Sequence, residues 1–163
     1  MKGFKPYIFL LLPVLLCSCR QSVVSSDHQN VSERAWAVTD TLQLALDVQD
    51  TSRIYDLALT LRHTELYTYQ NLWFFIHSTD SLCPLPSDTV MACLANDRGE
   101  WLGTRVGRYY SGYVIAARGL VFPEPGTYRF ALVHGMRDSV VVGIADVGME
   151  LRYHQPQTEQ EEY

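Results

Sequence analysis

From residue 41 onward the chain alternates apolar and polar positions with a period of two. Leu42, Leu44, Leu46 and Val48 fall on one side, with Thr41, Gln43 and Asp47 on the other. Tyr55, Leu57, Leu59 and Leu61 repeat the pattern against Asp56, Thr60 and Arg62. Such alternation predicts strands with one face buried. Leu72-Trp73-Phe74-Phe75-Ile76 is apolar at every position and reads as a central strand covered on both faces. Val90 to Leu94 predicts a further short strand, and Tyr109 to Ala117 has the aromatic and β-branched content that a pleated surface favours. Tyr128, Phe130 and Leu132 alternate with Thr127 and Arg129. Val140 to Val142 and Ala145 to Tyr153 complete the series, with Val147, Met149, Leu151 and Tyr153 on one face.

Turn clusters separate these runs at Pro84-Leu85-Pro86-Ser87-Asp88, Asn96-Asp97-Arg98-Gly99 and Pro123-Glu124-Pro125-Gly126. No window of twelve or more residues has a clean helical period, and residues 31–38 suit one helical turn or a first strand. About eight short strands at regular spacing predict an all-β fold, an antiparallel β-sandwich of Ig-like or jelly-roll-like kind.

The first residues follow another logic. Lys2 and Lys5 precede an uncharged apolar run from Tyr7 to Leu16. Ten residues are too few to span a bilayer as a helix but suit the core of an export signal. Leu16-Cys17-Ser18-Cys19 then matches a bacterial lipobox, with a branched residue at −3 and a small one at −1 of Cys19. Cys17 fits worse, because Leu16 would fill its −1 position. The expected organisation is a lipoprotein signal peptide over 1–18 and a lipidated N-terminus and tether over 19–35. A sandwich over 36–154 and a flexible acidic tail over 155–163 follow. The competing reading of the start is a plain secretory signal with cysteines nearby.

Loss of the signal removes both lysines and leaves eleven arginines against eighteen acids, a net charge of −7. An acidic domain is a poor nucleic-acid binder, and without a polybasic patch the lipid alone must hold the membrane. Two cysteines remain beyond Cys19, Cys83 and Cys93. Export permits a disulfide between them, whereas the short loop and the strand-like surroundings of Cys93 oppose one.

The candidate chemistry is sparse. There is no phosphate loop, no nucleophile elbow and no local histidine pair at metal-ligand spacing. Asp138 and Asp146 flank Val140-Val141-Val142 and suit solvated turns better than a carboxylate pair. The expectation is no enzyme, no cofactor, no metal and no small-molecule substrate. The stretch from Arg62 to Trp73 is the most informative. Arg62, His63, Tyr67, Tyr69 and Asn71 interrupt two apolar strands as a hairpin, and Tyr and Arg are enriched at binding hot spots. These five with Trp73 and Trp101 are the candidate partner contacts. The competing reading packs the tyrosines on the sheet edge and makes Trp101 a cap on the sandwich end.

The order of Arg62-His63, Tyr67-x-Tyr69-x-Asn71-Leu72-Trp73 and Gly99-x-Trp101-x-Gly103 carries a resemblance, extended by Pro125-Gly126-x-Tyr128-x-Phe130 and Gly143-Ile144-x-Asp146-Val147-Gly148. Behind a lipobox, the chain resembles the GldH family of gliding-motility lipoproteins of Bacteroidetes-type bacteria over about residues 36–153. The resemblance implies a non-enzymatic envelope lipoprotein. Its expected partners are other envelope lipoproteins or membrane proteins of a motility complex or its associated secretion machinery. Of the family's features only Cys19 transfers with a chemical role. Arg20 after the cysteine, and the lack of acids from Arg20 to Ser26, point to the outer membrane with the domain facing the periplasm. The alternative from another class is a glycan-binding or sugar-processing sandwich. It would need an aromatic platform with carboxylates in a concave face, where a subunit needs a flat aromatic-Arg patch.

Overall fold

The computed structural model describes residues 23–85 and 87–155. The signal segment, Cys19 and the end of the acidic tail lie outside the described residues. Among the described residues there are eleven strands: β1 (Val23–Asn30), β2 (Ala35–Ala37), β3 (Leu42–Val48), β4 (Tyr55–His63), β5 (Asn71–Ser78), β6 (Ser87–Cys93), β7 (Thr104–Val106), β8 (Tyr109–Leu120), β9 (Gly126–His134), β10 (Val140–Val142) and β11 (Ile144–Tyr153). One sheet has the order β1-β11-β4-β8-β7 and the other β3-β9-β5-β6, with β10 and β2 as a separate antiparallel pair. All pairings are antiparallel. The fold is therefore the expected all-β sandwich, with more strands than eight.

The core forms where the inward rows of the two sheets meet. Leu57, Leu59 and Leu61 come from β4 and Val147, Met149 and Leu151 from β11. Leu42, Leu44, Leu46 and Val48 of β3, Tyr128, Phe130 and Leu132 of β9 and Leu72, Phe74 and Ile76 of β5 close it from the other sheet. Each such side chain contributes about 1.5–3 kcal/mol on burial.

One expectation about the start of the domain is overturned, that the residues up to 35 are only a tether, whereas the turn or strand expected over 31–38 is present. Residues 23–30 are a full strand, paired with β11 from Val23↔Arg152 to Asn30↔Asp146. Residues 32–34 form a 3₁₀ turn that leads into β2. The folded domain therefore includes residues 23–35. The strand forms from a polar sequence because its side chains have a specific task. Ser25 Oγ, Asp27 Oδ2 and Gln29 Oε1 accept hydrogen bonds from the backbone N–H groups of Asp47, Ala45 and Gln43, each at 2.9 Å. These are outward donors of edge strand β3, so β1 caps an edge that is otherwise open to pairing with another chain.

The segment from Arg62 to Trp73 is not a hairpin. β4 pairs with β11 and β8, whereas β5 pairs with β9 and β6. The loop between them crosses from one sheet to the other. Gly143 lets it pass closely. At a φ of +98°, a Cβ on Gly143 would stand 2.4 Å from the Tyr67 nitrogen. The Gly143 carbonyl accepts the Thr64 N–H at 2.9 Å.

The loops gather at two poles. The pole where β1 begins holds the β3–β4, β5–β6 and β8–β9 connections and the end of β11. The opposite pole holds residues 31–41, 64–70, 94–103 and 135–139. β4, nine residues long, separates the poles by roughly 27 Å at ~3.3 Å per residue. Cys83 lies towards the first pole and Cys93 at the far end of β6, and both are free thiols. Six strand steps are on the order of 20 Å, far beyond the Cα separation of about 7 Å that a disulfide tolerates.

Candidate functional site

The seven candidate contact residues occupy three different environments. His63 and Tyr67 are buried, 2% and 1% exposed. His63 ends the inward row of β4, and its Nδ1 lies 3.2 Å from the Thr64 carbonyl, to which it donates. The Tyr67 hydroxyl donates to the Asn71 carbonyl at 2.5 Å. The Trp101 ring meets His63 at 4.6 Å, and Tyr110 stacks on His63 at 5.4 Å and lies tilted against Trp101 at 6.0 Å. Trp101 is half-buried and held by a backbone bridge to Ala95. These rings seal the space between the sheets at the far pole. His63 and Tyr67 are therefore packing residues, which corrects their assignment as surface contacts. Burial drives the Tyr67 hydroxyl pKa far above its ordinary value, with Tyr69 and Asp138 adding to the effect, so it serves as a neutral donor.

Arg62 faces outward from the five-stranded sheet. Its Nε donates to Asp146 Oδ2 at 2.6 Å, and its guanidinium lies 5.6 Å from the Tyr109 ring. Asp146 is buried in β11, not in the solvated turn expected for it. The neighbouring surface is polar, with Arg152 above Tyr113 at 4.0 Å and paired to Glu150 at 2.6 Å.

Trp73 stands on the opposite outer surface. β5 was expected to be covered on both faces, but only Leu72, Phe74 and Ile76 are buried, while Trp73 and Phe75 are each 39% exposed. Trp73 is directly opposite Met91 of β6, which is also exposed, and Asn71 is opposite Cys93. The Asn71 amide contacts the Met91 sulfur at 3.5 Å. Gly135 N–H donates to the Trp73 carbonyl at 2.7 Å. A Cβ on Gly135 would press on Phe75 and Trp73 at 3.0–3.2 Å. Tyr69 lies over this edge and donates its hydroxyl to Asp138. The result is a shallow groove of about 390 Å³, lined by Tyr69, Asn71, Trp73, Phe75, Met136 and Asp138 among others.

The sandwich thus brings Tyr69, Asn71 and Trp73 together, sets Arg62 on the far side, and takes His63 and Tyr67 inside. Phe75, Met91 and Asp138 join the surface although they were not among the candidates. For Phe75 the sequence signal was an apolar run too rich for a strand buried on one face. Among the described residues no three His, Cys, Asp or Glu side chains gather as a metal site, and no helix is long and apolar enough to cross a membrane.

The chain is 26% identical over 156 residues to a Christiangramia forsetii protein named "Gliding motility lipoprotein GldH homolog", covering 91% of this chain and 95% of that one. It is 24% identical over 151 residues to the Flavobacterium johnsoniae "Gliding motility lipoprotein GldH", covering 88% and 93%. Among solved structures, that of Eiger TNF from S. frugiperda overlaps 87% of this chain and all of that one. Its TM-score of 0.38 and 9% identity are too low for it to bear on function. A family model described as "GldH lipoprotein" matches residues 23–151, which starts at the first residue of β1. The chain belongs to the GldH lipoprotein family.

Proposed function

We propose that this protein is an envelope lipoprotein that acts, without enzymatic activity, as a protein-binding subunit of gliding-motility or associated secretion machinery. The names of its relatives support the motility setting. The observation that carries the binding role is the patch of Trp73 and Phe75 on interior strand β5 and Met91 on edge strand β6, on the open face of their sheet. Contiguous exposed aromatics on a rigid sheet are costly to leave in water and are the usual anchors of protein interfaces. Cys19 is the lipidated residue once the signal peptide of residues 1–18 is removed, and acyl chains such as palmitate hold the chain on the outer membrane.

Trp73→Ala with Phe75→Ala tests the surface. Both side chains are partly in solvent, so the melting temperature should change little, while recovery of crosslinked envelope partners falls roughly tenfold or more, as for loss of a hot spot. Unchanged recovery would reject the surface. A glycan reading draws on Asp138 at the rim of the same groove. It requires that soluble envelope oligosaccharide compete for the surface and shift Trp73 emission.

The periplasmic orientation rests on Arg20 and the absence of acids up to Ser26. Protease added to intact cells should spare the domain and digest it after outer-membrane lysis. Digestion of intact cells would reverse the topology.

A further inference from the structure

We infer that the pole at which β1 begins is a membrane-contact surface, seated on the headgroup layer of the leaflet that holds the lipid. The inference rests on the lipidation of Cys19 put forward above. Only residues 20–22 separate Cys19 from Val23, the first residue of β1. Four peptide steps, even fully extended, reach at most roughly 14 Å. The anchor therefore cannot hold the domain away from the bilayer as a longer tether would. Val23 is paired with Arg152, one residue before the end of β11, so it is this pole and not the Trp101 pole that the anchor pulls down.

The side chains there suit that neighbour. Ile54 in the β3–β4 connection, Leu82 in the β5–β6 connection, Val121 after β8 and Tyr153 at the end of β11 are all substantially exposed, 42–54%. They come from four separate segments that converge only in the fold. Tyr153 is held in place by stacking on buried Tyr55 at 5.8 Å and carries the Arg53 guanidinium 5.5 Å from its ring. A tyrosine with an arginine beside it, flanked by aliphatic side chains, suits the polar–apolar boundary of a bilayer. The pole also carries the acids Asp50, Asp80 and Glu124, and Asp50 pairs with Arg53 at 3.4 Å. With both signs present, the contact is apolar rather than driven by anionic lipid.

The natural tryptophans make the test direct. Trp36 hydrogen-bonds to Asp40, Trp101 packs on His63, and Trp73 is near the start of β5, so all three lie in the far half of the molecule. The lipidated full-length protein is reconstituted into phosphatidylcholine vesicles with and without brominated acyl chains, as wild type, Val121→Trp and Ile54→Trp. Both added tryptophans should be quenched roughly twofold by the brominated lipid, while wild-type emission is unaffected, as expected for side chains at and away from the interface. Raised salt should leave the quenching unchanged. A protein that floats with the vesicles but shows both added tryptophans unquenched overturns the orientation alone, whether the pole is left in water or covered by another protein. A chain whose mass shows no acyl groups on Cys19, or that fails to float, overturns the anchor and the orientation with it.

Discussion

His63 and His134 turn their imidazoles into the sandwich, where a charged ring has no water. Burial lowers both pKa values below the ordinary 6.5, opposed in part by a hydrogen bond to Thr64 for His63 and by Trp36 and Asp138 for His134. His134 Nδ1 accepts the Met136 N–H at 3.4 Å, and its ring abuts Trp36 at 5.3 Å. As pH falls below about 6.5 the unfolded chain takes up these protons before the folded one does. Stability is therefore fully present above that pH and is lost on acidification toward the folded-state values. Each histidine contributes a slope of up to ~1.4 kcal/mol per pH unit in that window. Urea unfolding at pH 7.5 and 5.5 should show the loss, and His134→Phe should flatten it. An equal slope in wild type and variant would discard this account. The same residues show what sequence leaves open. His63, Tyr67 and Tyr69 sit within seven positions, and nothing in their identity separates the two that turn inward from the one that reaches Asp138. The crossing of the loop between sheets decides it, and that depends on Gly143, 76 residues beyond Tyr67.

At the scale of elements, β3, β4, β9 and β11 were legible because each buries one row of large apolar side chains, such as Leu42, Leu44, Leu46 and Val48. β1 was not, because its alternating residues Ser25, Asp27 and Gln29 are polar. They serve as acceptors for an edge strand, which a hydrophobic pattern does not register. β7 has three exposed residues and no such row. β5 was found, but its environment was misjudged, since a strand sequence does not reveal whether anything covers its second face. The capping role of β1 has a measurable consequence. Asp27→Ala leaves the Ala45 N–H without the acceptor it meets at 2.9 Å. A loss of about 1–2 kcal/mol is expected for one charge-assisted hydrogen bond, together with faster hydrogen exchange at Ala45 and a greater tendency to associate through β3. Unchanged exchange at that amide would show that the side chain is dispensable there.

Across the whole molecule the two poles divide the work. The chain begins and leaves the five-stranded sheet at one pole, and the aromatic seal of His63, Tyr67, Trp101 and Tyr110 closes the other. The Trp73 and Phe75 surface lies nearer the sealed pole, so a lipid anchor at Cys19 would present it toward the space beyond the membrane. β1 couples these functions, because it is at once the end of the short link to Cys19 and a structural strand bonded to both β11 and β3. A chain shortened to residue 36 would lose the seven residue pairs of β1 with β11 and the three caps on β3. It would also uncover core positions near Val24 and Val31. The lost backbone ladder alone outweighs several kcal/mol at about 1 kcal/mol per hydrogen bond, a large part of the 5–15 kcal/mol that typical domains possess. A soluble chain starting at residue 20 should therefore unfold cooperatively, whereas one starting at 36 should be largely unfolded or aggregated at the same temperature. Circular dichroism and calorimetry of the two chains check this, and a cooperative transition of equal midpoint in the shorter one would return residues 23–30 to the status of a tether.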